Sequence, residues 1–168
     1  MSDLPDFETL VIERLTINLS EIVGIKTVFE NPPSMKAGVS DAPFAFPLVG
    51  GMVNSIPQQT TGSGRLVVTR NYPVSVFGIK LEQDADGERG EGAKGYKAMR
   101  LLIAPIREYF MTHASLETDA GDKLDKLQYI QQQITLQEQG IALDDKENRY
   151  VLQFTLTVSM GATIKRLA

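Results

Sequence analysis

The chain has no cysteine, no tryptophan and a single histidine. Without cysteine there are no disulfides and no thiolate metal sites. One imidazole, His113, is all that remains for any histidine-dependent chemistry. No apolar run reaches the roughly 18 residues of a membrane-spanning helix, so no membrane partner is expected. The acidic opening MSDLPDFE has no apolar signal-peptide core, which predicts a chain made in the cytoplasm. Positive charge is also scarce: 17 Lys and Arg stand against 21 Asp and Glu, a net charge of −4. That balance argues against wrapping nucleic acid through a basic surface. It is compatible with a surface past which DNA slides.

What the chain does have is helical and strand periodicity. Its 168 residues suit one domain, 1–168, large enough to bury roughly 70% of its unfolded surface. The organising stretch is Gly95 to Leu116. Tyr96, Met99, Leu102, Ile103, Ile106, Tyr109 and Phe110 recur at steps of three and four, which puts them on one helix face. Lys97, Arg100 and Arg107 fall on the other side. Pro105 lies within the pattern and removes a backbone donor, so a bend near Leu101, or two helical pieces, is expected. An earlier helix runs from a cap at Asp3 or Asp6 through Phe7, Leu10, Val11, Leu15, Leu19 and Ile22 to Gly24.

Extended segments surround these helices. Ile25 to Glu30 reads as a short strand. Arg65 to Leu81 is β-rich, with Leu66, Val68, Tyr72, Val74 and Val76 on one face. Its apolar phase then shifts to Phe77, Ile79 and Leu81, which predicts a β-bulge at Pro73 or Gly78. Tyr129 to Leu143 is a weaker strand with a break at Gly140. Tyr150 to Met160 alternates most cleanly, one face buried and the other solvated or partner-facing. The fold class is therefore α+β: an antiparallel or mixed β-sheet packed by an N-terminal helix and one long central helix. Residues 31–64 form an extended Pro-rich arm, with five prolines and a short edge strand in Ala42 to Gly50. The arm also carries Met35, Phe44, Phe46, Leu48, Val49, Met52, Val53 and Ile56, more apolar content than a disordered linker has. It orders against its own core or against a neighbouring subunit.

Chemical motifs are weak. Gly90 to Gly95 fits G-x-G-x-x-G, but the acidic loop before it (Asp84, Asp86, Glu88) would repel a pyrophosphate, and no strand directly precedes it. Glu82 to Gly87 resembles the start of a calcium loop, yet the closing glutamate would stand at position 93, where the chain has Ala93. Asp119, Asp122 and Asp125 read as a solvated turn. His113 ends the main helix, where the helix dipole favours a cation. No nucleophile–base pair presents itself. The expectation is no enzyme, no cofactor and no metal.

The order of segments resembles another class of protein: N-terminal helix, strand IKTVFENPP, Pro-rich arm with APFAFPLVGG, ribbon RLVVTRNYPVSVFGIKL, glycine loop, helix GYKAMRLLIAPIREYF, and a strand pair ending RYVLQFTLTVSM. It is similar to the tail-terminator (tail-completion or neck) proteins of long-tailed bacteriophages. The resemblance implies a structural virion protein, assembled in the host cytoplasm, whose homohexameric ring caps the tail tube and ends its growth. Its partners would be further copies of itself, the tail tube protein and the head-completion or connector protein. DNA would pass through the lumen without specific binding. Under this resemblance Phe44, Phe46, Leu48, Arg65, Arg70 and Lys80 are subunit-interface candidates, and the loop bearing Asp84, Asp86, Glu88 and Arg89 faces the tube or the channel. The alternative is a monomeric α+β ligand- or peptide-binding module with arm 31–64 as a lid. A hydrolase using carboxylates is a third reading.

Overall fold

The computed structural model of the chain describes residues 6–33, 42–60, 63–80, 91–121, 129–130 and 134–165. Side chains are described for these residues except at 54–60, 63–65, 91–94, 129–130 and 162–165. The class is α+β, with a seven-stranded mixed sheet and two helices among the described residues.

Helix α1 spans Phe7–Ser20. Asp6 is its N-cap: one carboxylate oxygen accepts from the Thr9 amide at 3.0 Å and the other from the Thr9 hydroxyl at 2.7 Å. This satisfies a donor that the first turn leaves orphaned. Phe7, Val11, Leu15 and Leu19 form the buried stripe, and the chain then turns at Gly24, with φ 101°. A side chain at Gly24 would both strain that backbone and meet Leu102.

Helix α2 spans Glu91–Thr112 and buries Met99, Leu102, Ile106, Tyr109 and Phe110. It continues through Pro105 as one element, so of the two alternatives, a bend or two helical pieces, the second does not occur. The carbonyl that loses its partner belongs to Leu101, which is 61% exposed, so water can take the missing donor's place.

Strands β1 (Thr27–Val28), β2 (Phe44–Pro47), β3 (Met52–Thr60), β4 (Ser63–Phe77), β5 (Tyr129–Ile130), β6 (Thr135–Asp144) and β7 (Arg149–Lys165) make the sheet. Its spine is the antiparallel β4–β7 pair, in unbroken register from Ser63↔Lys165 to Phe77↔Val151. β2 and β3 pair successively along the other side of β4, and β6 and β5 along the other side of β7. The effect is two long hairpins laid side by side. β1 adds to β2 in parallel, which makes the sheet mixed and places β2 between β1 and β4, not at the edge. Sequence reasoning put the prolines of 42–50 on an edge; here Pro43 precedes the strand and Pro47 ends it, so neither interrupts the two residues that β1 pairs.

The bulge expected near Pro73 or Gly78 is absent: β4 keeps its register and stops at Phe77. The apparent phase shift arises because Phe77 faces away from the helices and stacks on Phe44 and Phe46, at 5.0 and 5.5 Å between ring centroids. Register shifts occur instead between Met52 and Asn54 and between Glu138 and Gly140. At the second, Gly140 takes φ 100°, so the break read at Gly140 is a bulge within β6.

The two helices cover one face. Tyr72, Val74 and Val76 pair across to Leu156, Phe154 and Leu152, and all six are buried beneath α1 and α2. The other face carries a polar ladder, in which Thr69 and Ser159 hydroxyls meet at 2.7 Å and Thr157 donates to Asn71 Oδ1 at 2.7 Å. It is not uniformly solvated, since Val151, Ser159 and Arg149 are buried.

Candidate functional site

The break between β2 and β3 produces the most unusual surface. The Leu48 amide donates to the Pro73 carbonyl (2.8 Å), the Gly50 amide to the Asn71 carbonyl (2.8 Å), and the Asn71 amide to the Gly51 carbonyl (3.0 Å). These bonds hold the connection tightly against β4. A Cβ at Gly50 would lie 2.6 Å from the Asn71 carbonyl oxygen, so only glycine lets the two backbones approach this closely. Arg70 completes the brace. Its Nη1 donates to the Gly50 carbonyl at 2.9 Å, and its Nε lies 3.1 Å from the Glu8 carboxylate of α1. Held in this way, the connection turns its side chains outward. Leu48 is 37% exposed, Val49 49%, Met52 53% and Val53 53%. Scattered exposed apolar residues are ordinary, but four within one short edge segment form a patch. Among the described residues no strand pairs with the outer edge of β3 or of β6.

The residues singled out from sequence divide as follows. Phe44 packs inside its own chain, 5% exposed, between Phe77 and the edge of Phe29. Phe46 is half-buried on Phe77. Leu48 alone of the three presents open surface. Arg70 is held by Glu8 and Gly50, and Lys80 pairs with Glu147 at 3.2 Å; both cations thus have partners within the chain. The side chain of Arg65, and Asp84, Asp86, Glu88 and Arg89 altogether, lie outside the described residues.

A second cluster joins the C-terminal ends of the helices. Tyr109 donates from its hydroxyl to Glu21 and accepts from Asn18 Nδ2 at 2.9 Å. The Glu21 carboxylate also accepts from the Asp119 amide at 2.9 Å. His113 stacks on Tyr109, with centroids 3.9 Å apart, and its Nε2 lies 2.9 Å from Asp119. Its Nδ1 sits 2.8 Å from the Tyr109 carbonyl. Burial first, and the bond to Glu21 second, push the Tyr109 hydroxyl well above its ordinary pKa, so it remains a proton donor. Glu21, His113 and Asp119 each offer one donor atom within 4.8 Å of the others. As arranged, those atoms are committed to one another, to Tyr109 and to backbone, so the cluster works as a clamp between α1 and the turn after α2. Sequence reasoning treated His113 and Asp119 separately and missed Glu21. The partners lie up to 98 residues apart, and no local pattern links them.

A shallow cleft of ≈ 20 Å³, open to solvent, lies between α2 and β6–β7, lined by Ile103, Ile106, Leu136, Leu152 and Phe154. That is room for about one water molecule, whereas a ligand pocket encloses most of its guest. Among the described residues no helix is long and apolar enough to cross a membrane. No protein-family model matches the chain, and no curated protein matches it significantly.

Proposed function

We propose that this chain is a structural assembly subunit that forms a homomeric ring, of the kind that caps a bacteriophage tail tube and joins it to the head connector. The observation that carries the reading is the braced, outward-facing Leu48–Val53 segment beside the open outer edge of β3. An unpaired strand edge with apolar side chains invites association unless it is protected. Rings form through heterologous contacts, in which one patch meets a different patch on the next subunit. The two sides of this sheet supply two such surfaces, β3 and β6. On this reading the ring is hexameric, its partners are the tube protein and the connector, and DNA passes through the lumen. A net charge of −4 favours passage over adhesion.

The ligand-binding alternative has less support. The apolar cleft lies on β6 and β7, and β4 stands between it and arm strands β2 and β3. At about 4.8 Å per strand, those strands would have to cross half the sheet to act as its lid.

Light scattering after size exclusion, at two concentrations, tests the proposal. The expected mass is near six chains, falling to one when Val49→Asp and Met52→Asp are combined, with circular dichroism unchanged. A wild-type chain that stays monomeric at high concentration, and that isolated tail tubes do not recruit, would refute the ring.

A further inference from the structure

The polar group least well accounted for is Arg149. It opens β7 opposite Asp144 of β6 and is 2% exposed. Its guanidinium lies 5.4 Å from the centroid of the Phe44 ring. The nearest carboxylate is that of Glu147, 3.9 Å from Nη2, beyond hydrogen-bond length. Nε and Nη1 are buried and have no hydrogen-bond partner among the described residues. A guanidinium does not shed its charge, and buried N–H groups are almost always paired. The Glu147 carboxylate also pairs with Lys80, whose Nζ lies 3.2 Å from the same oxygen. Two cations here share one anion.

We propose that Arg149 is an oxyanion-binding site, with Phe44 as the platform beneath the guanidinium and the Lys80–Glu147 pair as its movable cover. The planar fork of an arginine matches the two oxygens of a carboxylate or phosphate, and Phe44 holds the fork in one plane. Lys80 and Glu147 side chains are 42% and 22% exposed, so the pair can open outward and Lys80 can join Arg149 on the incoming anion. Glu147 lies in the turn 145–148 and would move without disturbing the sheet. The same chemistry has two sources: a free oxyanion such as inorganic phosphate, or a carboxylate side chain of a neighbouring copy. Only the second rests on the ring reading.

The experiment is a thermal-shift titration of the full chain with inorganic phosphate at constant ionic strength, with chloride as control. Wild type, Arg149→Met, Glu147→Gln and Asp145→Asn are compared. Arg149→Met preserves length and volume, and in chloride it should be at least as stable as wild type, because it removes a buried charge whose counterion, Glu147, is 3.9 Å away and shared with Lys80. With phosphate at about ten times its Kd, wild type should gain roughly 3–6 °C and Arg149→Met nothing. Glu147→Gln should bind phosphate several-fold more tightly, having lost the competing carboxylate. Asp145→Asn makes the same charge change at an exposed turn residue and should match wild type. If phosphate has no effect but Arg149→Met lowers the wild-type mass with its melting unchanged, the anion is a neighbour's carboxylate. If phosphate stabilises neither protein and mass is unaffected, the site does not exist. A monomeric wild type that still responds to phosphate would remove the ring and keep the site.

Discussion

Gly50→Ala is the sharpest test of the bracing that presents Leu48–Val53. The new Cβ would stand 2.6 Å from the Asn71 carbonyl oxygen and 2.8 Å from Pro73 Cδ. The first contact is with backbone and cannot be relieved by a rotamer change. Moving the connection outward stretches the bond from the Gly50 amide to Asn71 and the one from the Asn71 amide to Gly51, and draws the Gly50 carbonyl off Arg70. Overpacking costs about 1–3 kcal/mol, and each lost hydrogen bond about 1 kcal/mol. Stiffening the unfolded chain returns about 0.4–1 kcal/mol. The net expectation is a loss of roughly 2–4 kcal/mol, or about 5–12 °C in Tm for a chain of this size. The control is Gly51→Ala, whose Cβ would meet nothing within 4 Å; it should stay within about 0.5 kcal/mol of wild type. Urea denaturation of both variants, with m-values compared, gives the measurement. Equal stabilities for Gly50→Ala and Gly51→Ala would refute the close approach and, with it, the claim that β4 fixes the exposed segment.

Tyr109→Phe keeps the ring stacked on His113 but leaves Asn18 Nδ2 and Glu21 one partner short. It should cost about 1–3 kcal/mol in urea denaturation, and a loss below about 0.5 kcal/mol would mean that the clamp adds little. The Asp6 carboxyl is held below its ordinary pKa, chiefly by the Thr9 amide and then by the Thr9 hydroxyl. Its contribution is therefore complete above the unfolded value near 4 and is lost as pH falls through the lowered folded value. Asp6→Asn retains a capping oxygen without a charge, so the Tm advantage of wild type over Asp6→Asn should shrink on acidification; a pH-independent difference would remove the charged cap as its cause.

How much of this was legible in the sequence follows from the range of the interactions. Both helices and their buried stripes were readable because their periodicity is local. So was the inner face of β7, where Leu152, Phe154, Leu156 and Val158 alternate with polar residues. β1 and β4 were placed with ragged ends, and Tyr129 to Leu143, read as one strand, holds two, β5 and β6. In the arm only one short strand was read, where the structure has two, β2 and β3. Its strands β2 and β3 owe their existence to pairing with β4, and nothing inside 31–64 announces that partner. The supposed bulge in β4 failed for the same reason: Phe77 looked out of phase only because the Phe44 and Phe46 rings it joins lie thirty or so residues earlier in the chain. Arg149 stands just before the Tyr150–Met160 run, whose outer face was read as solvated or partner-facing. Its burial depends on what lies over that face, which period-two alternation does not report.

The exposed apolar segment is better understood as presented than as left over. A loose loop bearing Val49 and Met52 could fold its side chains back, and any partner would have to meet the entropy of ordering it. Here that cost is met in the free chain. The connection is bonded at Leu48, Gly50 and Gly51 to β4, and Arg70 links the Gly50 carbonyl to Glu8 of α1. The Arg70–Glu8 ion pair is partly open to solvent, with side chains 24% and 33% exposed. Its effect is geometric, tying the strand break to the helix that packs on the same half of the sheet. A surface built this way loses little freedom on docking and keeps one orientation relative to β3, whose outer edge runs on from it. Those are the properties a repeating subunit needs if each contact is to set the angle of the next. They are of little use to a lid, which must open and close.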